Sequence, residues 1–96
     1  MKEALKDMAT AVIMSNYIEK KESIDELINK INDKFNELVK EVKPKNYEDK
    51  LGVIMTKIEF LENILMYKKF KKDKKDALKI FNLYLEQVKE LEKLWE

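Results

Sequence analysis

The sequence contains neither cysteine nor histidine. Disulfides, thiol nucleophiles and thiolate metal sites are therefore excluded, and the commonest general base and metal ligand is missing. Arginine is absent too, so all 20 basic side chains are lysine. That removes the planar guanidinium fork that grips carboxylate or phosphate through two parallel bonds. Glycine and proline occur once each, as Gly52 and Pro44. A single glycine cannot build a phosphate-cradling loop. A chain this poor in turn residues, and rich in Lys, Glu, Leu and Ile, favours helix over sheet. No run approaches the roughly 18 uncharged apolar residues of a membrane span. The most apolar stretch, Met8 to Met14, is short, lies beside Asp7 and lacks a small-residue cleavage site. A cytoplasmic location is the expectation.

What is present points to an ordered domain. Hydrophobic residues make up 45% of the chain and the net charge is only +1, which excludes a disordered polyampholyte. The 96 residues form one domain, 1–96. A chain of this size buries only roughly 65% of its unfolded surface, and self-association is a common remedy for such a thin margin.

Three places interrupt the helical pattern. Ser23-Ile24-Asp25-Glu26 has the form of a capping box. Pro44 forces Lys43 out of helical conformation, and Asn46 is a good N-cap for the next helix. Asp73 can cap a last helix, with Asp76 at its third position. The spacing predicts helices near residues 2–20, 24–42, 47–71 and 74–96. Short connections make neighbours antiparallel, so the expected fold is all-α, a small up-down-up-down four-helix bundle. The alternative fuses the last two helices into one long rod.

The apolar patterns differ between helices. The second has one seam, Ile24, Ile28, Ile31, Phe35, Leu38 and Val42, flanked by Leu27 and Val39, all within an arc of about 120°. The third has two. Tyr47, Leu51, Ile54, Ile58, Leu61 and Leu65 form the first. Val53, Phe60, Ile64 and Tyr67 form the second, roughly 130° away. In the first helix Leu5, Met8 and Val12 share one direction and Ile13 and Tyr17 another, while Ala4, Ala9, Ala11 and Ser15 keep its profile thin. The fourth is expected to centre on Phe81, Tyr84, Val88, Leu91 and Trp95.

No catalytic constellation emerges, and the expectation is a protein that is not an enzyme and holds no cofactor or metal. Glu59 with Glu62, and Asp73 with Asp76, lie one helical turn apart, as carboxylates do on almost any charged helix. A di-iron bundle needs Glu-x-x-His. A helical chorismate mutase would need arginines.

Two features invite a partner. Lys68, Lys69, Lys71, Lys72, Lys74 and Lys75 fall within eight residues, and residues 43–76 carry ten Lys against six acids. Such a patch can neutralise phosphates of a nucleic acid or an anionic membrane surface. The second feature is the stripe Val53, Phe60, Ile64 and Tyr67, which a small monomer is expected to leave partly exposed and therefore open to a partner or a second copy. In architecture alone the chain resembles the bacteriocin immunity proteins, small Lys-rich antiparallel helical bundles. That likeness implies a module that binds another protein. A non-enzymatic, self-associating interaction module is the first expectation, and polyanion binding through the Lys68–Lys75 corner the alternative.

Overall fold

The computed structural model describes residues 2–95, with side chains from Thr10 onward. The helices are α1 (Lys2–Ile18), α2 (Ile24–Val42), α3 (Tyr47–Leu65), α4 (Lys68–Lys72) and α5 (Lys74–Leu94), and no strand occurs among the described residues. The fold is an all-α small helical bundle.

The expected caps are in place. Ser23 Oγ accepts from the Glu26 N–H at 3.2 Å, and its hydroxyl donates to Glu26 Oε1 at 3.4 Å. Asn46 Oδ1 accepts from the Asp49 N–H at 2.8 Å, and Asp73 Oδ1 from the Asp76 N–H at 3.1 Å. Each bond satisfies a donor that a helix start otherwise leaves orphaned. Ahead of Pro44, Lys43 closes α2 in left-handed conformation, at φ 48°, and its N–H returns to the Val39 carbonyl. Successive long helices run antiparallel. Tyr17 of α1 meets Asp76 of α5 at one pole, where Asp25 of α2 also lies 3.4 Å from Lys79 of α5. At the other pole Pro44 and Val53 share a cavity with Glu90 and Leu94.

α3 is the hub. It packs on α1, α2 and α5, with its most extensive contact to α5. A helix with three neighbours needs more than one apolar stripe, and this overturns the expected exposure of Val53, Phe60, Ile64 and Tyr67. Val53, Phe60 and Ile64 are buried and Tyr67 is half-buried. Phe60 meets Phe35 of α2 edge-on at 5.9 Å. Phe60 and Ile64 join Ile13, Met14 and Tyr17 of α1 and Leu27 and Ile31 of α2 in one core. Ile58 and Leu61, from the first seam, are also buried.

Four further expectations need correction. The third helix does not reach residue 71 but stops at Leu65, and Tyr67 is extended, at φ −65° and ψ 138°. Phe70 gives the reason. In an unbroken helix it would lie about 140° round from Leu65, on the wet side. The break at Tyr67 turns it inward, where it is buried. Neither Tyr67 nor Asp73 is helical, so the fused rod does not form either. In α1, Val12 is 73% exposed, whereas Thr10, Ile13, Met14 and Tyr17 face the core. Leu5, Met8, Ala4 and Ala9 lie outside the described side chains. In α5, Phe81 and Trp95 are exposed rather than central, and the inward face carries Ile80, Tyr84, Gln87, Leu91 and Leu94. α5 bears two heptad stripes offset by one residue, and α3 takes the one that contains Ile80.

Two stability predictions follow from this packing. Phe35→Ala leaves a cavity against Phe60 and should cost about 3–5 kcal/mol in urea denaturation, whereas a loss below about 1 kcal/mol would locate the core elsewhere. Gln87 Oε1 is buried without a hydrogen-bond partner. Gln87→Leu removes that unsatisfied acceptor at similar volume and should stabilise the fold by about 1–2 kcal/mol in the same assay.

Candidate functional site

The pole where α1 ends is organised around one tyrosine. α1 terminates in a Schellman motif: the Lys20 N–H bonds the Tyr17 carbonyl at 3.1 Å and the Lys21 N–H bonds the Asn16 carbonyl at 2.8 Å. Lys20 takes the left-handed position, at φ 63°. Tyr17, buried, stacks on Phe70 of α4 with ring centroids 5.4 Å apart and planes 16° apart. Its hydroxyl donates to Asp76 Oδ2 at 2.5 Å. Lys69 approaches from α4, with Nζ 4.0 Å from the Tyr17 ring centroid and donating to the Tyr17 carbonyl at 3.0 Å. The ammonium thus meets both the negative face of a π-system and a carbonyl at the negative end of a helix, which also accepts the Lys20 N–H. Asp73 and Asp76, weighed in the sequence as a possible acid pair, serve a cap and this tyrosine.

That clasp draws α4 and the start of α5 against the end of α1 and shapes an open cleft of about 830 Å³. Its walls are Lys20, Lys68, Lys69, Lys72, Lys74 and Lys75, with Asp73 and the half-exposed Ile18. Six lysines therefore face one aspartate across a single basin. Five of the six lysines picked out in the sequence line it. Lys71 does not; it is exposed on another side of α4. Lys20, from a turn 48 residues before Lys68, is the one that sequence reasoning missed. A charged residue just beyond a helix end is a weak signal, and nothing local to it announces which pole of the bundle it shares.

The candidate interface residues of α3 are not brought to a common surface, because three are buried. Lys57, between the two seams of that helix, lies with Nζ 5.5 Å from the Phe35 ring centroid. Burial pushes its ammonium below the usual lysine range, partly opposed by Glu90. Glu59 and Glu62 are exposed. Among the described residues no group of acidic side chains is placed to hold a metal ion, and no helix is long and apolar enough to cross a membrane. Comparison with protein families, with curated proteins and with solved structures finds no match to this chain.

The tyrosine clasp makes stability depend on alkaline pH. Burial, then the hydrogen bond to Asp76 and the charges of Asp76 and Asp73, hold the Tyr17 phenol well above its ordinary range. Its contribution is complete below about pH 10, where the phenol is neutral in both folded and unfolded chains. Above that, only the unfolded chain ionises, and stability should fall by about 1.4 kcal/mol per pH unit until the folded phenol also titrates. Urea denaturation between about pH 9 and 11.5 should show this extra slope in the wild type and not in Tyr17→Phe. Equal slopes would mean that Tyr17 ionises freely in the fold.

Proposed function

We propose that the protein is a non-enzymatic binder of phosphate-rich polyanions, with a nucleic-acid backbone as the principal ligand, held in the cleft between the end of α1 and α4. The observation that supports this reading is the convergence of Lys20, Lys68, Lys69, Lys72, Lys74 and Lys75 on one open basin. Clustered ammonium groups raise the local potential, and each phosphate they neutralise releases condensed counterions. The chemistry of the walls also sets the mode of binding. Lysine is a point charge without a bidentate fork, so it holds phosphate and reads no base edge. Among the described residues no aromatic side chain lines the basin, so the walls offer bases no stacking platform there. Binding is therefore independent of sequence. Lys69 is committed to Tyr17, which leaves Lys20, Lys68, Lys72, Lys74 and Lys75 to follow a phosphate track.

The expectation of a protein interface on the second stripe of α3 has no support, since that stripe is covered within the chain.

Fluorescence anisotropy with a short labelled duplex tests the proposal. Affinity should be measurable at low salt and fall with log[salt] at a slope of about −4.5 for five phosphate contacts. Replacing Lys20, Lys68, Lys72 and Lys75 together by Gln should abolish binding and leave the circular dichroism spectrum unchanged. No binding of the wild type at low salt would end the proposal. Binding to phosphatidylserine vesicles but not to duplex would transfer the cleft to a membrane surface.

A further inference from the structure

The outward face of α5 carries a heptad seam that the bundle does not use. Lys74, Leu78, Phe81, Leu85, Val88, Glu92 and Trp95 recur at alternating steps of four and three. That is the period of a helix-pairing stripe and not of scattered surface residues. Leu78 is 58% exposed, Phe81 42%, Leu85 39% and Trp95 70%, and Val88 is half-buried. Phe81 and Tyr84 stack on each other at 5.8 Å along its edge. Singly exposed apolar residues need no explanation, but a periodic run of large ones along a single helix does.

The order of residues along this seam identifies the occupant. Between Lys74 and Glu92, read from either end toward Leu83, the seam has the same character, a charge followed by two apolar residues, and Trp95 lies beyond this stretch. The charges at the two ends are opposite. In an antiparallel pairing of two copies, positions whose numbers sum to 166 face each other. Phe81 then meets Leu85 of the partner subunit, Leu78 meets Val88 of the partner subunit, and Lys74 meets Glu92 of the partner subunit. Each contact occurs twice, as a two-fold axis requires. The parallel arrangement would stack Lys74 on Lys74 and Glu92 on Glu92, so charge selects the antiparallel one. Both charged residues are exposed and flank the four apolar residues Leu78 to Val88, where an ion pair fixes register without being desolvated.

We infer that the protein forms a symmetric homodimer through antiparallel pairing of α5 along Leu78, Phe81, Leu85 and Val88, with Lys74–Glu92 pairs setting the register. Lys75 and Lys89 of opposite chains share one edge of this seam, and both are exposed and extend into water. That repulsion offsets part of the Lys74–Glu92 attraction, and salt screens both, so the dimer should depend on salt far less than the cleft does. The inference is independent of polyanion binding. Lys74 and Lys75 are shared by the two surfaces.

Sedimentation equilibrium over a wide concentration range tests it. The wild type should show a monomer–dimer equilibrium, and Phe81→Ser with Leu85→Ser should weaken it by more than about a hundredfold while the helical spectrum persists. Lys74→Glu alone and Glu92→Lys alone should each weaken dimerisation by about tenfold. Mixing these two single variants, or combining both changes in one chain, should restore it, because opposite charges again face each other. A wild type that stays monomeric at millimolar concentration overturns the inference. A dimer that survives the Ser substitutions overturns the interface. Charge reversals that change nothing, or whose mixture fails to recover, overturn the antiparallel register.

Discussion

A phenol buried beside a helix end must find an acceptor, and Asp76 is the acceptor that Tyr17 finds. Much else at that pole depends on this contact. Tyr17 holds Asp76, and Asp76 sits in the first turn of α5, capped by Asp73. Its ring supports Phe70, which requires the chain to leave α3 at Tyr67 and form the short α4. Its carbonyl holds Lys69. One side chain thus joins α1 to two later elements across a sequence separation that costs loop-closure entropy. The lysine cleft is a by-product of that closure, because the residues that flank Phe70 and cap α5 are mostly cationic.

The second constraint is size. A chain this short cannot surround every helix with neighbours, and it concentrates burial on α3. That choice gives α3 two covered stripes and leaves α5 with one covered and one open. The unsatisfied oxygen of Gln87 lies on the covered stripe and the large apolar side chains Leu78, Phe81 and Leu85 on the open one. Hydrophobicity alone therefore does not predict which face of α5 is inside. Shape and the demand of α3 decide it, with a polar residue inside as the cost.

Local physics made the elements legible in the sequence. Ser23, Asn46 and Asp73 each marked a helix start because capping needs only a side-chain oxygen and a nearby N–H. Pro44 marked a boundary through sterics alone. The single seam of α2 was legible because all its apolar residues share one direction, and Ile31 and Phe35 are in the core as that seam requires. What was not legible depends on tertiary choice. The stripe of Val53, Phe60 and Ile64 looked surplus because periodicity counts apolar faces but not neighbours. The end of α3 was hidden because no Gly or Pro enforces it, and only the burial of Phe70 on Tyr17 does. Five cleft lysines were visible as a run; Lys20 entered through the topology, and Lys71 left through the turn of α4.

Lys20 holds the left-handed position of a Schellman motif, where a Cβ crowds the backbone and glycine is the ordinary occupant. An L-residue there costs about 1 kcal/mol relative to glycine. The same position aims its ammonium into the cleft. Position 20 therefore stands at odds with itself. The residue that best ends α1 has no charge to offer, and the residue present gives up helix-end stability for the only cleft cation supplied by the α1–α2 turn. Where stability and charge compete so directly, the identity at this one site records which of the two the protein has kept.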